Sequence, residues 1–363
     1  MAHKIKVGIT QGDTAGVGWE VILKSLADPR IGDMIVPVVY GSRTAADFYK
    51  KIAEETAQMQ FHTVQSARQA APKGISLVNT DTDKEPQPEP GKPTPASGAA
   101  GVKALQLAVA DMKEGHIDVL VTAPISKENS QGEGFNFAGH TEFLGAQFEG
   151  EPTMMMCSEA MRVALVTAHM ALADVPGAIS KEKIVEKLRR LRKTLIADFG
   201  IVEPRIAVLS LNPHAGEGGM LGSDETEVIK PAVAEAYGEG VLAFGPFAVD
   251  GLFLSGEFPR YDAILAMYHD QGLAPFKALT PDGVNFTAGL DIVRTSPDHG
   301  TAFDIAGRDL ASPDSMRNAI YMAVDVFRNR RAWAEMSRNP LRHYEREKGA
   351  DITLDLSKSS DEM

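Results

Sequence analysis

Three apolar runs in this chain stop at a histidine: "VTAHM" at His169, "LNPHAGEGG" at His214 and "MYHDQG" at His269. Neutral imidazoles converging from different strands would bind a divalent cation and leave positions open for a substrate oxygen. Each could equally be a hydrogen-bonded histidine at a strand end. Their intervals, 45 (214 − 169) and 55 (269 − 214), match no local metal motif, so only the tertiary fold can bring them together. "FAGHTEFLGAQF" sets His140 and Thr141 just before a helix-like run, where Thr141 caps the helix or His140 meets a carboxylate or moves a proton. Lys277, Asn285 and Arg294 follow within "FKALTPDGVNFTAGLDIVRTSPDHG"; the two cations either neutralise a phosphate or carboxylate or are simply solvated.

The elements that must position these residues are apolar, β-branched runs bounded by turn residues, at 4–10, 34–41, 74–79, 118–124, 161–169, 205–214 and 261–269. Between them, helical periodicity marks 18–27, 43–56, 97–113, 181–198, 224–237 and 315–336. Such alternation predicts an α/β architecture with a largely parallel sheet, whose ligands sit beyond the carboxyl ends of the strands. The Pro- and acid-rich stretch 79–98 is an exposed excursion, and the polar tail 355–363 should fray. The loop "TQGDTAGVGWE" (10–20) joins a strand to a helix, where backbone amides hold an anion or small residues merely make a tight turn. Its glycines fit neither the G-x-G-x-x-G nor the P-loop pattern.

At 363 residues, with 44% hydrophobic and 24% charged residues, the chain has enough material for two soluble domains. No apolar stretch approaches the roughly 20 residues that span a bilayer, so no membrane partner is expected. A net charge of −12 gives no general footing for nucleic acid. Cys157 is the sole cysteine, which excludes an intrachain disulfide and fits a reducing cytosol. "MAHKIKVGIT" runs directly into a strand pattern without secretory-signal features, so the expected location is cytoplasmic.

In the order "GDTAGVGWE", "VTAPISK", "GHTEFL", "LNPHAGEGG", "YDAILAMYHDQGLAPFK" and "RTSPDHGTAFDIAG", the chain resembles the 4-hydroxythreonine-4-phosphate dehydrogenase (PdxA) family over nearly its whole length. The resemblance implies two αβα domains flanking a cleft, as in isocitrate and isopropylmalate dehydrogenases. They would be 1–135 plus 300–363, and 136–299 carrying the metal ligands and a dimer interface. It implies NAD-dependent oxidation of the C3 hydroxyl of 4-phosphohydroxy-L-threonine and decarboxylation to 3-amino-2-oxopropyl phosphate, within pyridoxal phosphate biosynthesis. His169, His214 and His269 then become ligands of a divalent metal, zinc first, with magnesium, cobalt, manganese or nickel as alternatives. His140, Thr141, Lys277, Asn285 and Arg294 become contacts to the phosphorylated substrate, in an active site shared between the subunits of a homodimer.

By the same resemblance, "DHGTAFDIAG" (298–307) is the adenosine loop, with Gly300, Thr301 and Asp304 toward NAD; Asp304 either bonds the ribose hydroxyls or caps a helix. Asp270, beside His269, and Asp250, in "FAVDGLF", are bases or orienters of the imidazoles, and Lys277 is a proton donor or a fixed charge. Thr14 and Trp19 stand where the family commonly has proline, which leaves the shape of the first loop open. Other substrates consistent with these residues are D-threonate or D-erythronate 4-phosphate and a cis-dihydrodiol. A metal-dependent hydrolase is the alternative from another class, and a non-catalytic sugar-phosphate sensor a third.

Overall fold

The computed structural model describes residues 4–82, 86–132 and 135–341, so the tail expected to fray lies outside the described residues. Its strands are β1 (Ile5–Thr10), β2 (Ile35–Gly41), β3 (Phe61–Val64), β4 (Ile75–Asn79), β5 (Val119–Thr122), β6 (Gly150–Cys157), β7 (Arg162–Leu165), β8 (Arg205–Leu209), β9 (Leu242–Phe247), β10 (Ala263–Ala266), β11 (Val284–Leu290) and β12 (Arg294–Pro297). They form one sheet in the order β3-β4-β2-β1-β5-β12-β11-β6-β7-β10-β8-β9. Every apolar run read as a strand is one. Pairing is parallel from β3 to β12 and again from β7 to β9, whereas β11 is antiparallel to both β12 and β6, and β6 is antiparallel to β7. The parallel expectation therefore holds within each half, and the two halves run in opposite senses across the central strands.

The parallel strands β2, β5 and β10 are buried at every position, as strands covered on both faces must be, which explains their unbroken apolar sequences. Helices Gly18–Leu26, Lys181–Ala197 and Asp314–Ser337 pack into the largest apolar cluster. Helix Pro95–Lys113 covers the other face of the first half, and His269–Leu279 that of the second. The 79–98 excursion gives way to helix before its expected end: Thr94 and Ser97 form a reciprocal capping box, and Pro95 takes the first turn, where its missing N–H costs nothing. Among the described residues no helix is long and apolar enough to cross a membrane.

The first loop is fixed by its unusual residues. Trp19 is fully buried, and its Nε1 donates to Gln11 Oε1 at 2.9 Å, an oxygen that also accepts from the Ser42 amide at 2.8 Å. The tryptophan thus clamps the loop where proline would have stiffened it. Gly12 has φ of 71°, and a Cβ there would lie 2.3 Å from the Pro124 carbonyl oxygen. Gly12→Ala is therefore expected to destabilise the protein by roughly 2 kcal/mol or more, from left-handed backbone strain plus a backbone clash, read as a lower urea midpoint at unchanged slope.

Candidate active site

Arg294 opens β12 and points into the sheet, 2% exposed. Its Nε and Nη2 donate to Thr122 Oγ1 at 3.1 and 2.6 Å, and its Nη1 to Thr287 Oγ1 at 3.0 Å. Three of the five guanidinium N–H groups are thereby spent on neutral hydroxyls. Among the described residues no carboxylate forms an ion pair with it, and burial lowers its pKa to about 10, with Glu142 opposing the shift. It stays charged at neutral pH, so the fold holds a desolvated cation with no carboxylate in contact and only the more distant Glu142, in the same cleft, to offset its charge. That arrangement is costly unless an anion arrives.

Arg294 lines a cleft of about 250 Å³ together with His140, Thr141, Asn285, His169 and His299. Three buried polar atoms from this lining, His140 Nε2, Asn285 Oδ1 and His299 Nε2, make no hydrogen bond within the protein. Buried polar groups are normally paired, so three orphans beside a guanidinium that no carboxylate contacts describe a site built for a polar, anionic ligand. The His140 pKa is lowered well below the usual imidazole value, first by burial and then by the Arg294 charge. A depressed histidine pKa means that the unfolded chain takes up a proton before the folded one does. Stability therefore falls as pH drops below the ordinary imidazole pKa of about 6.5, by up to about 1.4 kcal/mol per pH unit. His140→Gln is expected to flatten that part of the stability curve, checked by urea unfolding between pH 7 and 5 without substrate.

His140 begins a helix of eight residues, His140–Gln147, whose N-cap is Gly139 with no side-chain cap. Thr141 is therefore inside the first turn and lining the cleft rather than capping. The other histidines lie beyond the strands that were expected to end on them. β7 ends at Leu165 and His169 follows in an exposed loop; β8 ends at Leu209 and His214 stands exposed in the stretch Pro213–Gly219. β10 ends at Ala266, and His269 is the first residue of helix His269–Leu279, not the last of a strand. Gly272 is likewise helical and makes no turn; a Cβ there would meet Val163, Leu165 and Ala266 side chains at 2.8–3.0 Å, so it lets the helix lie close on the sheet.

The His169 and His269 rings sit 5.8 Å apart by centroid, and His269 Nδ1 donates to Asp270 Oδ1 at 2.7 Å, which leaves the Nε2 lone pair of the neutral ring free to ligate. Two neighbouring imidazoles, one oriented by a carboxylate, suit a borderline divalent cation such as zinc. Within one chain the donor atoms of His169, His214 and His269 do not all gather within 4.8 Å. Among the described residues that criterion is met by Asp111, Glu114 and His116 instead. There Asp111 already accepts from Tyr40 Oη at 2.8 Å and the Ala67 amide at 2.7 Å, which identifies a hydrogen-bonded structural carboxylate. His214 has φ of 53°, and Ala215 and Glu217 share the left-handed region, where residues other than glycine are strained, while Gly216 between them is buried against Glu225.

Lys277 is outside the cleft lining: its ammonium pairs with Asp298 Oδ1 at 2.7 Å. Burial raises the Asp298 pKa, and Lys277 opposes the rise. Asp250 is exposed near the start of helix Val249–Leu254, where its Oδ1 accepts from the Gly251 amide. In the loop 298–307 Gly300 borders the cleft, and the Thr301 carbonyl accepts from the Val17 amide at 2.9 Å, which ties this loop to the first one. Glu20 accepts from the Gly307 and Asp309 amides and Lys24 pairs with Asp309, so helix Gly18–Leu26 carries the loop. Asp304 is exposed in a turn and caps no helix; the next begins at Asp314. Thr122, Thr287 and His299 were not singled out from sequence, although "VTAPISK" and "DHGTAFDIAG" contain the first and last.

Residues 33–323 match the model of the family described as pyridoxal phosphate biosynthetic protein PdxA. The chain belongs to the PdxA family. It is 49% identical over 354 residues to the 4-hydroxythreonine-4-phosphate dehydrogenase of Bacteroides thetaiotaomicron, covering 96% of each chain. The crystal structure of the Klebsiella pneumoniae 4-hydroxythreonine-4-phosphate dehydrogenase superimposes with a TM-score of 0.78 at 33% identity, over 90% of this chain and 99% of that one. A terephthalate 1,2-cis-dihydrodiol dehydrogenase from Burkholderia xenovorans shares the fold, with a TM-score of 0.57 at 24% identity over 89% of this chain and 98% of that one. Members of the PdxA family with the sequence similarity seen here are dehydrogenases, and this chain is an oxidoreductase.

Proposed function

We propose that the chain oxidises and decarboxylates 4-phosphohydroxy-L-threonine to 3-amino-2-oxopropyl phosphate with NAD, in pyridoxal phosphate biosynthesis. The observation that carries this reading is the buried Arg294, in contact with no carboxylate among the described residues, beside the orphaned atoms of His140 and Asn285. Arg294 and the first-turn amides at His140 and Thr141 receive the phosphate, which completes the guanidinium's unused donors. His140 and Asn285 fix the remaining polar groups of the substrate and exclude water from the buried wall of the cleft. Asp270 holds the His269 ring in one tautomer, and Asp250 and Asp270 are the carboxylates we assign as base or orienter. Lys277, freed from Asp298, delivers a proton or a positive charge.

His169 and His269 would hold a divalent metal, with His214 completing the set in a homodimer that shares its active sites. Gly300, Thr301 and Asp304 would meet the nicotinamide cofactor; Asp13 Oδ2, buried and unpartnered in the adjoining first loop, fits a hydroxyl-rich ligand. Bound there, the metal would supply Lewis acidity toward a substrate oxygen and the nicotinamide a hydride acceptor. We further assign residues 1–135 with 300–363 to one αβα domain and 136–299 to the other. β12 lies at their join, paired to β5 on one side and β11 on the other. The location we assign is cytoplasmic. Turnover of the amino acid phosphate and of D-threonate and D-erythronate 4-phosphates, followed side by side as NADH absorbance, tests the substrate. The amine should be preferred, and a preference for the hydroxy acids would reassign the enzyme to them.

A further inference from the structure

On the face of the sheet opposite the cleft lies a larger cavity of about 360 Å³, between the sheet and the helices Lys181–Ala197 and Asp314–Ser337. Alternation along the strands separates the two: in β6, Met154 lines the cleft while Thr153 and Met155 line the cavity, and in β11 Asn285 faces the former and Ala288 the latter. The floor is apolar, formed by Met155, Ala164, Leu265 and Ala288, all in the buried core. The rim is basic. Arg190 is taken up by Glu151 and Glu186, and Arg330 by Asp198 at 2.6 Å. Lys187 and Lys193 form no ion pair among the described residues, and burial lowers the Lys187 pKa. Two buried atoms at this cavity, Thr153 Oγ1 and Arg190 Nη1, make no hydrogen bond.

We propose that this cavity is a second ligand site, for a small molecule with an apolar or aromatic body and one carboxylate or phosphate group. Its volume falls in the range of small-molecule pockets, and its lining combines an apolar floor with a few polar and charged groups. Four cationic side chains in the lining, Lys187, Arg190, Lys193 and Arg330, against the two carboxylates Glu151 and Asp198 make a local positive field in a chain of net charge −12, selecting an anion. A half-buried ammonium with no ion pair among the described residues, in the same lining as an unfilled guanidinium donor, is satisfied by an acid head group, while the core residues accept the body. None of these residues belongs to the catalytic machinery, so the site stands whatever substrate the cleft takes.

Trp333 lines the mouth of the cavity, and the chain's other tryptophan, Trp19, is fully buried elsewhere, so intrinsic fluorescence reports on occupancy. The full-length protein should show saturable fluorescence changes with phenyl phosphate and phenylacetate, and far weaker ones with neutral benzyl alcohol. Lys187→Met should weaken binding of the two anions roughly ten-fold or more while leaving the urea midpoint unlowered, and Trp333→Phe should silence the signal without abolishing binding by calorimetry. Crystals soaked in phenyl phosphate should place its ring against Ala288 and its phosphate at Lys187. The proposal is overturned by absence of saturable binding at millimolar concentration, by binding indifferent to Lys187→Met, or by equal affinity for benzyl alcohol. It is equally overturned by a crystal in which a second copy of the chain or residues 342–363 fill the cavity.

Discussion

Arg294→Met is expected to raise KM for the phosphorylated substrate by roughly a hundred-fold or more, the effect of removing one partner of a buried, hydrogen-bonded charge pair. The same substitution should leave the unliganded protein as stable as the wild type or more so. A desolvated guanidinium bound only by the Thr122 and Thr287 hydroxyls brings the free protein a burial cost with little Coulombic return, and an apolar side chain of similar length removes it. Opposite signs for binding and stability separate a ligand-binding arginine from a structural one. Steady-state kinetics by NADH absorbance and urea unfolding on the same preparation check both. A large loss of stability with unchanged KM would make Arg294 a core residue and leave the phosphate without its anchor.

His214→Ala is expected to lower turnover by roughly three orders of magnitude, as for loss of a ligand that holds a catalytic metal, while the unfolding free energy from urea titration stays within about 0.5 kcal/mol of wild type. The side chain is exposed and packs into no core cluster, so its removal leaves no cavity. Its left-handed backbone is no easier for alanine than for histidine, so the strain of the loop is retained. Metal content of the dialysed variant, measured by mass spectrometry, should fall with the activity. A fully active variant with wild-type metal content would remove His214 from the ligand set.

Most of the scaffold could be read from the chain because its parallel strands are buried on both faces and so carry unbroken apolar sequences, as in "VVYG" of β2 or "AILA" of β10. Five strands carry no such run: β3 and β9 at the edges of the sheet, and β6, β11 and β12 at its centre, beside the site. β12 is "RTSP", four residues with no apolar run to mark a strand, and its arginine is held by Thr122 and Thr287 from the two neighbouring strands. β6, "GEPTMMMC", has proline and methionines where β-branched residues would have signalled a strand; its antiparallel pairing with β11 is set by residues more than a hundred positions away. Local periodicity cannot report such long-range pairs. The same reasoning applies to the histidines: their residue type suggested a metal site, but the turns that carry them past the strand ends, and the start of a helix at His269, depend on tertiary packing.

The central claim is one site, in which a buried arginine takes the substrate's phosphate while imidazoles beside it hold a cation. Anomalous scattering from crystals grown with zinc and 4-phosphohydroxy-L-threonine tests it most directly. The account predicts a metal peak bonded to His169 and His269 nitrogens, with the phosphate on the Arg294 guanidinium. A metal peak at Asp111 and His116 alone, or a phosphate bound away from Arg294, would contradict it.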